Sequence, residues 1–180
     1  MNARPLSYLP RVPLHYGGES VRGRRKRARP FDPRRPVHLV LRSSAARGAH
    51  SLLHPHHRKQ VDGAVRRLAR KWRVRIHRYR NAGHGLQLLV QADEKRRFQA
   101  FLRELAGRVA MLVTGAAKGR GRKFWDHLAW SRVVDWGRDF KRTVLAVLRN
   151  LLSPDESLPA MPDPDAPPGS LFARNRKLQP

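Results

Sequence analysis

The 180-residue chain has no cysteine. That excludes disulfides, thiolate zinc sites and cysteine nucleophiles together, and it leaves the cytoplasm as the default compartment. Acidic residues are also scarce, 13 Asp and Glu against 39 Lys and Arg. Paired carboxylates for acid–base work are correspondingly rare, and no Ser/His/Asp arrangement is visible. No apolar run approaches the ~20 residues a spanning helix needs, so no membrane partner is expected. The first residues, MNARPLSYLPRVPLHYGG, lack the apolar core of a signal peptide.

What the chain does have is positive charge, a formal +26. Such a field attracts polyanions, and affinity for nucleic acid grows with the number of phosphates neutralised. The length suits one domain with tails. Residues 1–36 are rich in Pro and Gly and carry VRGRRKRARPFDPRR, with six basic residues between Arg22 and Arg29. They read as a basic, mostly irregular arm that cannot bury enough apolar surface to fold alone. Residues 153–180 hold seven of the 14 prolines and read as a flexible tail.

Residues 37–152 show clear periods. Val37, Leu39 and Leu41 alternate with His38, Val40 and Arg42, the pattern of a strand. Val61, Val65, Leu68 and Trp72 lie on one helical face, behind a start at His54-Pro55. Val74 and Ile76 alternate with Arg73, Arg75, His77 and Tyr79, predicting a strand with one apolar and one basic face. NAGHG turns the chain, and Leu86, Leu88 and Val90 form the inward side of the next strand. Asp93 is placed to cap a helix with Phe98, Phe101, Leu105, Val109 and Leu112 inward, ending at Thr114-Gly115. FWDHLAWSRVVDW reads as a fourth strand or an irregular edge, and a last helix from Gly137 to Leu152 buries Phe140, Val144, Val147 and Leu151. The order β-α-β-β-α-β-α is an α+β, ferredoxin-like arrangement: an antiparallel sheet with helices on one face and the other face free to bind.

On the third strand Gly85 and Gln87 share that free face at the i, i+2 spacing with which two histidines could hold one metal. Here, with RRKRARPFDPRRPVHLVLRS, SLLHPHHRKQV, NAGHGLQLLV, FQAFLRELAG and FWDHLAWSRVVDWGRDF in order, the chain resembles the tyrosine HUH single-strand DNA transposases. The likeness is to the stand-alone relatives that act on repeated hairpin elements, and it spans about residues 24 to 152. That family's strand reads Asn-His-hydrophobic-His-Leu-Leu-Val, so its two histidines fall at Gly85 and Gln87, and His84 takes the Asn position. Its tyrosine nucleophile, six residues after the Phe of Trp136-Gly137-Arg138-Asp139-Phe140, falls at Ala146, and its polar ligand position is Asn150.

The resemblance therefore implies a DNA-binding protein that recognises hairpin or single-stranded ends and has lost strand cleavage. Alanine cannot supply the phenol that attacks phosphorus, and a glycine–glutamine pair is a poor metal set. No cofactor is expected, with Mg or Mn needed only if activity persists through a rebuilt site using His84, Gln87 and Asn150. Ala146 is expected to sit off the buried helical stripe. DNA contacts are expected from Arg24, Arg25, Lys26 and Arg27 of the arm and from Arg73, Arg75 and Arg80 of the second strand. The loop Lys118, Arg120, Arg122 and Lys123 and the last helix's Arg142 and Arg149 complete the set. His54, His56 and His57 read as a helix start rather than a metal set, His127 as a loop histidine, and at most one of Trp125, Trp130 and Trp136 as a base-stacking platform. A homodimer is possible by the family's habit. The alternatives are an active transposase with an unconventional site, a repurposed non-catalytic DNA or RNA regulator, and a decayed product without function.

Overall fold

The computed structural model of the protein describes residues 15–18, 28–116 and 123–149. The elements in chain order are β1 (His15–Tyr16), β2 (Val37–Arg42), α1 (Pro55–Lys71), β3 (Arg75–Asn81), β4 (Gly85–Gln91), α2 (Lys95–Thr114), β5 (Trp130–Val133) and α3 (Arg138–Arg149). The strands form one antiparallel sheet in the order β1-β5-β2-β4-β3. Without the two-residue β1, that is the ferredoxin-like α+β order, with β2 and β4 paired at the centre.

The apolar pattern explains the layers. Val37, Leu39 and Leu41 of β2 and Leu86, Leu88 and Val90 of β4 point to one side and form a single core with α1 and α2. From α1 come Val61, Val65 and Leu68, and from α2 Phe98, Phe101, Leu105 and Val109, all buried. Each such side chain contributes about 1.5–3 kcal/mol of burial. His54 starts α1 as expected: its ring accepts the His56 amide, and Pro55 fills the first turn. Gly115 ends α2 in the left-handed region, its N–H reaching Met111 O at 3.0 Å.

Three local expectations change. Asp93 is not the cap of α2: Glu94 holds that position without a side-chain cap, and Asp93 pairs with Arg97 at 2.5 Å. Leu112 is only partly buried, and Val113 takes its place inside. Arg73 belongs to no strand: at φ 51° it ends α1 in a Schellman turn, with its N–H on Arg70 O and the Val74 N–H on Ala69 O.

The strand β3 departs from strict alternation. A bulge between Ile76 and Arg78 leaves His77 as the extra residue and reverses the parity after it. Ile76 and Tyr79 therefore pack against the same core, and the Tyr79 hydroxyl donates to Asp62 of α1 at 2.7 Å. Arg78 and Arg80, opposite Leu89 and Gln87, face the other way.

That other face is not free, contrary to the sequence expectation. The helix α3 lies across β3 and β4, burying Thr143, Ala146 and Val147 beneath it. A sheet face carrying Val40, Leu89 and Gln87, at 4%, 0% and 0% exposure, needs such a cover. Ala146, expected off the buried stripe, is itself inside at 5% exposure. The stripe is rotated toward Thr143 and Ala146, leaving Leu145 and Leu148 outside; Leu151 lies outside the described residues.

Part of the arm is also docked. Arg29 donates to Ser131 Oγ and to Ala129 O (2.9 Å) and stacks over Tyr16, and Phe31 packs on Phe98. Burial lowers the Arg29 pKa, but a guanidinium stays charged.

Candidate nucleic-acid interface and the covered sheet face

The WGRDF stretch fixes α3 to the sheet. Asp139, in the first turn, receives both Arg132 nitrogens at 2.9 and 3.0 Å, a bidentate pair of nearly parallel bonds. Arg132 also donates to Thr143 Oγ1 at 2.9 Å. Trp136 donates its indole N–H to Arg34 O at 2.8 Å, and it packs with Phe140 against the bulged His77. At the far end Arg80 donates to Leu148 O at 2.6 Å. The helix is thus held at both ends.

Beneath it three strands align His38 of β2 with Leu89 of β4 and Arg132 of β5. His38 is edge-on to Trp130, and its Nε2 makes no hydrogen bond among the described residues. Burial, with the neighbouring Arg132 guanidinium adding to it, pushes its pKa down to about 3. The imidazole is therefore neutral at ordinary pH. His38 and the Arg132–Asp139 pair were missed in the sequence, although the parity of Val37, Leu39 and Leu41 puts His38 on the face of Gln87.

The positions that resemble the transposase site divide in two. Gln87 and Ala146 both lie in the layer between the sheet and α3, with Gln87 opposite Arg80, which reaches the end of α3. Gly85, at the start of β4 and opposite Arg42, has its own local reason to be glycine. A Cβ there would stand 2.5 Å from Leu41 O. His84 is exposed, its carbonyl accepting the Ser43 N–H at 2.9 Å, and Asn150 lies outside the described residues.

These residues do not fit a divalent ion. Gly85 offers no donor, Gln87 offers a buried neutral amide, and among the described residues no group of three His, Asp or Glu stands together. Nor does Tyr79 offer a nucleophile: burial raises its pKa, and its hydroxyl is committed to Asp62.

Of the cationic positions, Arg73, Arg75, Arg80, Lys123, Arg142 and Arg149 are exposed. Arg142 and Arg149 are two turns apart on one side of α3, and Arg80 donates to Leu148 O beside Arg149, so Arg80 and Arg149 stand together at that helix's end. Arg73 and Arg75 lie at the opposite end of β3, and Lys123 stands just before Phe124, away from both. Arg24, Arg25, Lys26, Arg27, Lys118, Arg120 and Arg122 lie outside the described residues. Trp125 is a core residue bonded to Ala106 O, Trp130 packs on His38, and Trp136, at 50% exposure, is the indole a base could reach.

No family model matches the chain, and no curated protein matches it in sequence. The geometry alone carries the reading of the site. Among the described residues every carboxylate has a partner inside the fold, such as Asp32 on Arg35, Glu104 on Lys71 and Trp72, Asp126 on Ser44 and Asp139 on Arg132. By contrast Arg58, Arg66, Arg67 and Arg70 of α1 and Arg103 and Arg108 of α2 are exposed and carry no ion pair among those residues. The described residues also contain no helix long and apolar enough to cross a membrane.

Proposed function

We propose that the chain is a transposase-like nucleic-acid-binding protein that engages hairpin or single-stranded DNA ends and does not cut them. The observation that carries this is the imbalance just described: the acids are consumed within the fold, and the guanidiniums are left to solvent. Each phosphate such a cation neutralises releases counterions and adds affinity. Arg142 and Arg149 along α3, Arg80 at its end and the exposed Trp136 before its start offer charge and an aromatic ring on one element, the two features single-strand binding uses.

Absence of cutting follows from chemistry at the resembling positions. Phosphoryl transfer through tyrosine needs a phenol beside a polarised phosphate. Ala146, on the sheet-facing side of α3, carries no phenol, Gly85 offers no donor and Gln87 only a neutral amide oxygen.

The test is titration of the full chain with a hairpin bearing a single-stranded flank, the matching duplex and the same hairpin in RNA, over a salt series. Tighter binding to the flanked DNA hairpin at every salt concentration is expected. Arg142→Gln with Arg149→Gln should reduce the slope of log K against log salt by about 1.4 on single strands. Equal affinity for all three ligands would reduce the reading to a general polyanion binder.

A further inference from the structure

The helical face of the domain carries a groove of about 250 Å³ between α1 and α2, lined by Ala64, Arg67, Leu68, Glu104 and Arg108. Its floor is apolar, with Ala64 and Leu68 nearly buried, and its rim is cationic, with Arg67 and Arg108 exposed. The one carboxylate, Glu104, is already held by Lys71 Nζ and Trp72 Nε1, each at 2.8 Å, and these bonds hold its pKa below the usual carboxylate range. The groove therefore presents two guanidiniums, Arg67 and Arg108, over a small hydrophobic floor, against one carboxylate that is already shared with Lys71 and Trp72.

The chemistry that fits it is an acidic segment with an aliphatic side chain, and the chain contains one. Residues 150–173 carry Asp155, Glu156, Asp163 and Asp165 and no Lys or Arg, in a protein of formal charge +26. Asp155-Glu156-Ser157-Leu158 sets two carboxylates beside a leucine. We infer that this segment docks in cis on the α1–α2 groove, with its carboxylates on Arg67 and Arg108 and Leu158 over Ala64 and Leu68.

The route is short. The helix α3 ends at Arg149 beside Arg80 on β3, the outer strand of the sheet. Directly across that strand lies α1, joined to it by the Tyr79–Asp62 hydrogen bond. Asp62 is little more than one helical turn from Arg67. The nine residues from Arg149 to Leu158 span about 30 Å when fully extended, the order of the path over the sheet edge and across the ~10 Å width of α1.

Docking there would make the segment a built-in competitor for polyanions on the helical face, a consequence that rests on the nucleic-acid reading above. The docking itself does not rest on it.

Because the chain has no cysteine, a single Ser157→Cys variant takes one nitroxide label. Amide signals of Ala64, Arg67, Leu68 and Arg108 are expected to broaden selectively in the full-length protein. The effect should disappear in 0.5 M salt (about a 4–5 Å screening length) and in an Arg67→Gln/Arg108→Gln background. Broadening that is absent, or spread evenly over all basic surfaces, would overturn the inference. In parallel, in an Arg142→Gln/Arg149→Gln background that leaves the helical face as the main contact, neutralising Asp155, Glu156, Asp163 and Asp165 to their amides should tighten binding of a single-stranded oligonucleotide about tenfold, the gain expected if the segment occupies the groove for nine-tenths of the time. Groove broadening with no oligonucleotide binding by either protein would leave the docking standing and remove the nucleic-acid reading.

Discussion

Replacing Gly85 with alanine separates a glycine left by a vanished active site from a glycine the sheet requires. In an ordinary strand the exchange stabilises, because glycine carries the larger entropy cost on folding. Here the new Cβ would stand 2.5 Å from Leu41 O, whereas ordinary contacts begin at 3.4 Å. The obstacle is backbone of the central strand, so the β2–β4 ladder must open by nearly an ångström at the Arg42–Gly85 pair. Overpacking of about 1–3 kcal/mol and the loss of a ladder bond at about 1 kcal/mol predict a total near 2–4 kcal/mol. Urea unfolding followed by circular dichroism measures it, with a fall in Tm of about 10 °C as the second readout. Gly107→Ala on α2 is the control: nothing lies within 4 Å of that position, so stability should rise by about 0.5–1 kcal/mol. If Gly85→Ala is neutral or stabilising, the close approach is not what selects glycine, and histidine could return there without cost.

Ala146→Tyr places a phenol at a position only 5% exposed, so a loss of about 1–3 kcal/mol in urea unfolding is expected with no DNA adduct on a denaturing gel; unchanged stability would contradict the placement of α3. His38 is neutral in the fold down to a pKa of about 3, against 6.5 as a free side chain. Its contribution is therefore undiminished above pH 6.5 and falls by up to about 4–5 kcal/mol as the pH drops toward 3, because only the unfolded chain gains the proton. The stability of His38→Phe relative to the parent should improve steadily from pH 7 to pH 4.5 by urea midpoint, and a constant difference would contradict the burial of that imidazole. Arg73→Gly relieves the left-handed backbone at the end of α1 and should stabilise by about 0.5–1 kcal/mol; destabilisation would show that the Arg73 side chain contributes more than its backbone costs.

Where periodicity and burial coincide, the sequence reads directly. The alternation of Leu86, Leu88 and Val90 and the helical spacing of Val61, Val65 and Leu68 were enough to order β2, α1, β3, β4 and α2. The bulge at His77 was not legible, because no local composition marks an extra residue in RIHRYRN, and it moved Tyr79 from the basic face into the core. The placement of α3 was hidden for a different reason. A short helix with apolar residues on two sides, Ala146 and Val147 against Leu145 and Leu148, can pack in more than one rotation. The pair that selects one, Arg132 with Asp139, spans two elements. The parity of β2 and β4 alone would have shown that His38, Val40, Gln87 and Leu89 needed cover.

The central claim is binding without cutting. The full chain, at saturating concentration with a 5′-labelled DNA hairpin and its single-stranded flank, in Mg and then in Mn, is run on a denaturing gel and stained for protein-linked DNA. The account predicts an intact labelled strand and no covalent adduct under conditions where a native gel shows the hairpin fully bound. A metal-dependent nick or a protein–DNA adduct would contradict it.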